Sequence, residues 1–145
     1  MTDDANLPDL PPTGRRDLDS VHWRLSASLG SLWRTLDRGT REEAIACAIG
    51  LLDGLRADYV SEESLMRRSA FPDLDRHLQA HAALEAGFNG IARRIRDGGP
   101  GFPPDQRSVL RRALSRAAGE LAAHVMTADV ALALFLDAGG VPENR

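Results

Sequence analysis

Seven side chains in this sequence carry metal-ligand chemistry at spacings that would let them meet: His22, Asp58, Glu62, His77, His81, His124 and Asp129. The chain has four histidines, and each falls on a stripe that faces inward if its segment is an amphipathic helix. Asp58 and Glu62 lie on such a stripe, and Asp129 lies one position off one. Buried imidazoles and carboxylates are costly unless something pairs with them; a shared metal centre would satisfy all of them together. His77 and His81 are four apart, as are Asp58 and Glu62, so each pair projects from one helix face about one turn apart. Imidazole with carboxylate suits iron, manganese or zinc and argues against copper-thiolate or iron–sulfur chemistry. Seven donors are too many for one ion and fit two ions joined by bridging carboxylates. His124 and Asp129 are five apart, which turns them about 140° from each other on a regular helix. A single-turn π-bulge between them would bring both inward, so the spacing predicts such a widening or a strained rotamer.

Four helices are needed to hold these donors. The first spans residues 17–37, with Leu18, His22, Leu25, Leu29, Leu32 and Leu36 at alternating spacings of three and four. Gly39 suits its C-terminal cap, and Thr40 with Glu43 makes a capping box for the second helix. That helix runs to Arg68 with the stripe Ala48, Leu51, Leu55, Asp58, Glu62 and Leu65. Phe71-Pro72-Asp73 breaks the chain, and Pro72 suits the first turn of a third helix. This one carries Leu74, His77, His81, Leu84, Phe88, Ile91 and Ile95, and Asp97-Gly98-Gly99-Pro100 ends it. Pro103-Pro104-Asp105 opens the fourth, which carries Leu110, Leu114, Ala117, Leu121, His124, Ala128 and Phe135 and closes at Gly139-Gly140-Val141-Pro142. No segment alternates with period two, so no sheet is expected. Short connections make antiparallel neighbours. The expectation is an all-α chain: an up-down-up-down antiparallel four-helix bundle over residues 17–140, preceded by an extended Pro- and Asp-rich arm over residues 1–16. The donors should lie in the middle third of their helices, at one depth.

At 145 residues the chain is one domain long enough to bury a real core. A net charge of −3 gives no nucleic-acid footprint. All 18 cationic side chains are Arg, scattered without a basic run. Cys47 stands alone, which excludes an intrachain disulfide and fits a reducing compartment. The N-terminus has no apolar signal region, and no apolar run approaches the roughly 18–20 residues of a membrane span. The expected location is the cytoplasm.

In chain order the donors read His22, then Asp58-Tyr59-Val60-Ser61-Glu62-Glu63-Ser64-Leu65-Met66, then His77-xxx-His81, then Leu121-Ala122-Ala123-His124-xxxx-Asp129. This resembles the hemerythrin and bacteriohemerythrin family, whose pattern is H…HFxxEE…HxxxH…HxxxxD; the Phe71-Pro72 break adds to the likeness, which covers residues 17–137. The resemblance implies a non-heme, carboxylate-bridged pair of iron ions in a four-helix bundle that binds O2 reversibly. By position it implies that His77, His81 and His124 hold one iron. His22 and residue 58 would hold the other, where O2 binds, with Glu62 and Asp129 as bridges. Leu121 matches the family's pocket-lining leucine.

Two positions depart from that pattern. Residue 58 is Asp where the family has His. Its reach is about 1 Å shorter, its charge favours ferric over ferrous iron, and its carboxyl can exchange a proton with a bound ligand. Glu120 stands where the family usually has Trp; four residues before His124, it reads as a second acid beside the site. Taken singly, His22 and His124 read as satisfied core histidines, Asp58 as a solvated or Arg-paired acid, Glu63 as a solvated neighbour and Cys47 as a small buried filler. Trp23, Trp33 and Tyr59 read as packing, Tyr59 beside the ligand pocket. Three functions follow from the joint pattern. The first is storage, delivery or sensing of O2. The second is an oxidase, a peroxidase or a scavenger of peroxide or nitric oxide. The third is a degenerate iron-binding or interaction module. The electron donor and the oligomeric state are left open.

Overall fold

Helices form where leucines recur at three–four spacing, and each begins and ends near the signals that mark it. A computed structural model describes residues 7–139. Helix α1 spans Arg16–Arg38, α2 Arg41–Arg68, α3 Leu74–Arg96 and α4 Pro104–His124; a π-helical turn, Val125–Asp129, leads directly into α5, Val130–Asp137. The described residues form no strand. Sequence neighbours pack together and α1 closes against α4, so the four long helices make a four-helix bundle.

Local chemistry sets the helix ends. Gly39 caps α1 through its N–H to the Thr35 carbonyl at 2.8 Å. A Cβ there would lie 2.5 Å from Thr35 Cγ2, so close approach rather than a left-handed backbone requires the glycine. Thr40 and Glu43 form the reciprocal capping box of α2. Pro72 suits a first helical turn by sequence but lies in the turn before α3, because the helix starts at Leu74 after Asp73. Two arginines close the far end of the bundle. Arg41 donates to the Ile95 and Gly101 carbonyls, and Arg107 to those of Leu36, Gly39 and Phe102. Both guanidinium groups stack on Phe102, at 4.8 and 4.3 Å. They satisfy orphan carbonyls and meet the negative ends of helix dipoles.

The buried apolar residues form two clusters. The larger includes Leu25, Leu29, Leu55, Leu84, Leu121 and Val125. The smaller holds Leu18, Met66, Phe71, Leu132 and Ala133. The seven donors separate them: His22 lies between Leu18 and Leu25, Asp58 and Glu62 between Leu55 and Met66, and Asp129 between Val125 and Leu132. The stripes suggested a polar layer at mid-height, but it lies off-centre along the helices. His77 is the fourth residue of α3 and His22 the seventh of α1, because the Phe71-Pro72-Asp73 break delays α3 while α2 runs on.

Several side chains depart from expectation. Met66 is buried and Leu65 is not; Leu74, Ala128 and Phe135 are half-buried. Trp23 is 74% exposed rather than packed, whereas Trp33 is buried beneath the Arg111 guanidinium. Cys47 is half-buried, with Sγ 3.5 Å from Thr35 Oγ1. Residues 7–15 are non-helical, and Leu7 and Leu10 pack against the larger cluster. The first six residues of the expected arm, and Gly140-Val141-Pro142, lie outside the described residues. The continuous helical stretch Pro104–Asp137 is, by length and apolar composition, the one described helix that could cross a bilayer, which the reading of short apolar runs missed. A core helix passes the same test, and this one turns His124 and Asp129 toward the other helices.

Candidate metal centre

All seven expected donors are buried and converge in one layer. They divide into two overlapping groups whose ligand atoms lie within 4.8 Å of one another: Glu62, His77, His81, His124 and Asp129; and His22, Asp58 and Glu62. The i, i+4 pairs on α2 and α3 place four of them. The π-turn places Asp129, as the five-residue spacing predicted.

Glu62 and Asp129 face both ways. Glu62 Oε1 lies 3.1 Å from His77 Nε2 and 3.3 Å from His81 Nε2, while Oε2 is 3.6 Å from His22 Nε2. Asp129 Oδ1 lies 3.1 Å from both His77 Nε2 and His124 Nε2, while Oδ2 is 3.1 Å from His22 Nε2. Asp58 stands looser, 3.8 Å from His22. Two donors on one ion at bonds of about 2.1 Å lie roughly 3.0 Å apart at right angles and roughly 3.4 Å apart at tetrahedral angles. The separations within the larger group match that spacing. Several of these atoms are near neighbours without hydrogen bonding: His81 Nε2, His124 Nε2, Glu62 Oε2 and Asp129 Oδ1 are buried and find no hydrogen-bond partner among the described residues. Leaving such atoms unsatisfied is expensive; His77 Nε2 and Glu62 Oε1 are aligned for a hydrogen bond at 3.1 Å, and a shared cation would satisfy the others. The cluster could hold a metal ion.

Its surroundings correct two expectations. Glu63 is no mere solvated neighbour: its Oε2 lies 3.1 Å from His81 Nδ1, a contact that orients the ring with Nε2 turned inward. Glu120 is exposed and stands outside the layer, although four residues before His124. His124 sits at one edge of α4's buried arc, and Glu120 falls on the outer side of that edge. Tyr59 stacks on His81 with ring centroids 3.7 Å apart and planes within 7°, fixing the opposite degree of freedom. Its buried hydroxyl has no hydrogen-bond partner among the described residues, and burial together with the charge of Asp58 pushes it up. Leu121 is buried in the larger cluster.

Protons balance this layer when it carries no metal. Burial opposes charge on His22 and His77, but the carboxylates of Asp129 and Glu62 outweigh it, pushing His22 up to about 10 and His77 up to about 9. Burial and the charge of Glu62 push Asp58 up to about 8. Against their own burial, Glu62 and Asp129 are held below the ordinary carboxylate range by the histidines. At neutral pH, cationic His22 and His77 thus face anionic Glu62 and Asp129 beside a neutral Asp58. A cation must displace those three protons. Metal affinity is therefore expected to rise with pH through about 8, 9 and 10 as Asp58, His77 and His22 let go. The raised histidines stabilise the metal-free fold fully below about 6.5, and that support is lost as pH passes their folded values. Asp58 acts in the same direction, since the fold holds its proton up to about 8. Calorimetric titration in buffers of different ionisation enthalpy reads the protons released; none released, with affinity flat above neutrality, would contradict this balance.

The fold and the layer define a class: a helical-bundle protein with a buried histidine–carboxylate cluster able to take metal. No family model matches the chain, and no curated protein or solved structure does.

Proposed function

We propose that this chain is a hemerythrin-like protein that holds two non-heme iron ions and binds O2 or a comparably small ligand such as peroxide or nitric oxide. The observation that carries this reading is the division of Glu62 and Asp129, each with one oxygen toward the three-histidine side and the other toward His22. Carboxylates so placed would bridge two ions. An iron pair supplies reversible electron transfer to oxygen when bound. His77, His81 and His124 would hold one position with both carboxylates. His22 and Asp58 would hold the other, which has one donor fewer and so would leave room for an external ligand. Leu121 and the larger apolar cluster keep bulk water from that room. Histidine with carboxylate suits manganese and zinc as well, and the likeness of the donor pattern to hemerythrins favours iron. An up-down-up-down bundle is supported by pairs that run in opposite senses along neighbouring helices: His22 with Asp58 and Thr35 with Cys47, then Glu62 with His77 and Arg56 with Glu85. The lone half-buried thiol fits the cytoplasm.

A second reading is favoured by Asp58. A carboxylate beside the position open to an external ligand can accept and return a proton there, which suits an oxidase or a peroxide scavenger better than a carrier.

The test loads the chain with ferrous iron without air, counts metal per chain, admits O2 and records the visible spectrum. Two irons and a long-lived band that vacuum removes support the carrier. Two irons and a transient band that decays to stable ferric iron support the enzyme. Fewer than two irons and no band refute both and leave a degenerate site. Asp58→His is expected to lengthen the oxygenated state; an unchanged lifetime would show that Asp58 is not a ligand.

A further inference from the structure

A groove of about 380 Å³ lies between the start of α3 and the π-turn. Its rim carries Asp73 and Arg76, its floor Ala128 and Ala131, and its inner end His77 and His124. Both histidines turn Nε2 inward to Asp129, so their opposite ring edges face the groove. We infer that this groove is the route by which the metal cation reaches the buried layer, an inference that rests on the metal reading of that layer.

The donors along the groove form a ladder from solvent to interior. Asp73 stands four residues before His77, hence on the same face one turn earlier. As the residue preceding α3 it makes no side-chain capping bond, so its carboxylate is free to take a cation. His77 comes next and leads to Glu62 and Asp129, whose oxygens lie 3.1 Å behind it. A rotation of the His77 or His124 ring passes the ion from groove to layer without unfolding the bundle. Behind His77 and His124 lie the carboxylates of Glu62 and Asp129, the donors that would retain an arriving ion. The π-turn borders the opening: Thr127 and Ala128, both within it, line the groove. Small side chains at Ala128 and Ala131 leave the floor low. Arg76 opposes the passage from the same rim, which gives the route a sign that can be read.

The experiment follows uptake of Co2+ by the metal-free chain in stopped flow, through the visible absorbance of the bound ion, with final stoichiometry measured alongside. Ala128→Leu should slow uptake by about tenfold by filling the floor, with stoichiometry unchanged. Ala131→Leu, at an exposed position, keeps the test alive if Ala128→Leu does not fold. Asp73→Asn, which preserves a good helix-start residue, should slow uptake by about tenfold at low salt, and Arg76→Ala should speed it by a similar factor. A structural defect would not move the two rim variants in opposite directions. Unchanged rates in the floor and rim variants, with full Co2+ content, would overturn the route and leave the metal site standing. Failure of the unaltered chain to bind Co2+ would overturn the metal site and the route with it. A gain for Asp73→Asn with a loss for Arg76→Ala would show an anion route instead and refute the cation assignment.

Discussion

Glu62→Ala is expected to cost more metal affinity than substitution of any donor that faces one side of the layer alone. Glu62 is 1% exposed and its carboxylate touches His22, His77 and His81, so it belongs to both donor groups. Outer-shell partners of metal ligands are typically worth about 10–100-fold in affinity; a ligand shared by two positions should lose at least the upper end of that range at each. Asp58→Ala, which touches one group alone, should spare the three-histidine position. Elemental analysis after desalting reads the metal retained. Thermal unfolding with and without added metal reads the linkage, since an ion that binds only the folded state raises the midpoint. In Glu62→Ala that rise should vanish. Full metal content and an undiminished thermal shift in this variant would remove the bridging role on which the two-ion reading stands.

Deleting Met126 should leave the metal site intact, against the usual consequence of a deletion inside a helix. In an ordinary helix one deleted residue turns everything beyond it by about 100°. Here Val125–Asp129 already contains an extra residue relative to an α-helical path. Removing exposed Met126 brings the acid to four residues after His124, the spacing at which both face one side of a regular helix. Leu132 and Ala133 then keep their place in the smaller cluster. Deletion of Gly119, only five residues before His124 but within regular α4, has no such reserve. It should swing His124 and Asp129 away from Leu110 and Leu114 and abolish metal binding. Metal content and far-ultraviolet circular dichroism of the two variants distinguish the cases. Loss of metal in the Met126 deletion, with helix content retained, would show that the π-turn does more than absorb one residue.

Much of the bundle was legible before any coordinates. Repeating apolar residues at three–four spacing determine which arc of a helix is buried, so the inward faces of α1 and α3 followed almost residue by residue. Thr40 and Glu43 announced the start of α2 because capping is a local reaction between a side chain and the backbone three residues away. The π-turn was legible too, since two donors five apart cannot share a face on a regular helix.

The errors share one cause. Position on a helical wheel gives an angle, and burial depends on where the edge of the packed arc falls. Leu65 and Met66 differ by about 100°, and contact with Phe71 and Leu132 decided for Met66. Glu120 lies about 40° from His124, but the buried arc extends the other way, through Ala117, Leu121 and Val125. Trp23 falls well outside the arc of α1 despite following His22 directly. Glu63 lies at the edge of α2 that faces α3, where only the actual approach of His81 makes it an orienting partner.

The sequence by itself determined which residues could act as donors, which helices carry them and how each stripe is phased, because those properties depend on neighbours within about five residues along one helix. The tertiary structure decided the depth of the polar layer, the two-way facing of Glu62 and Asp129, the contact of Glu63 with His81 and the groove beside the π-turn. Each of these is set by how far one helix slides and turns against another, and that distance comes from packing across the core, for which a single chain of letters contains no ruler.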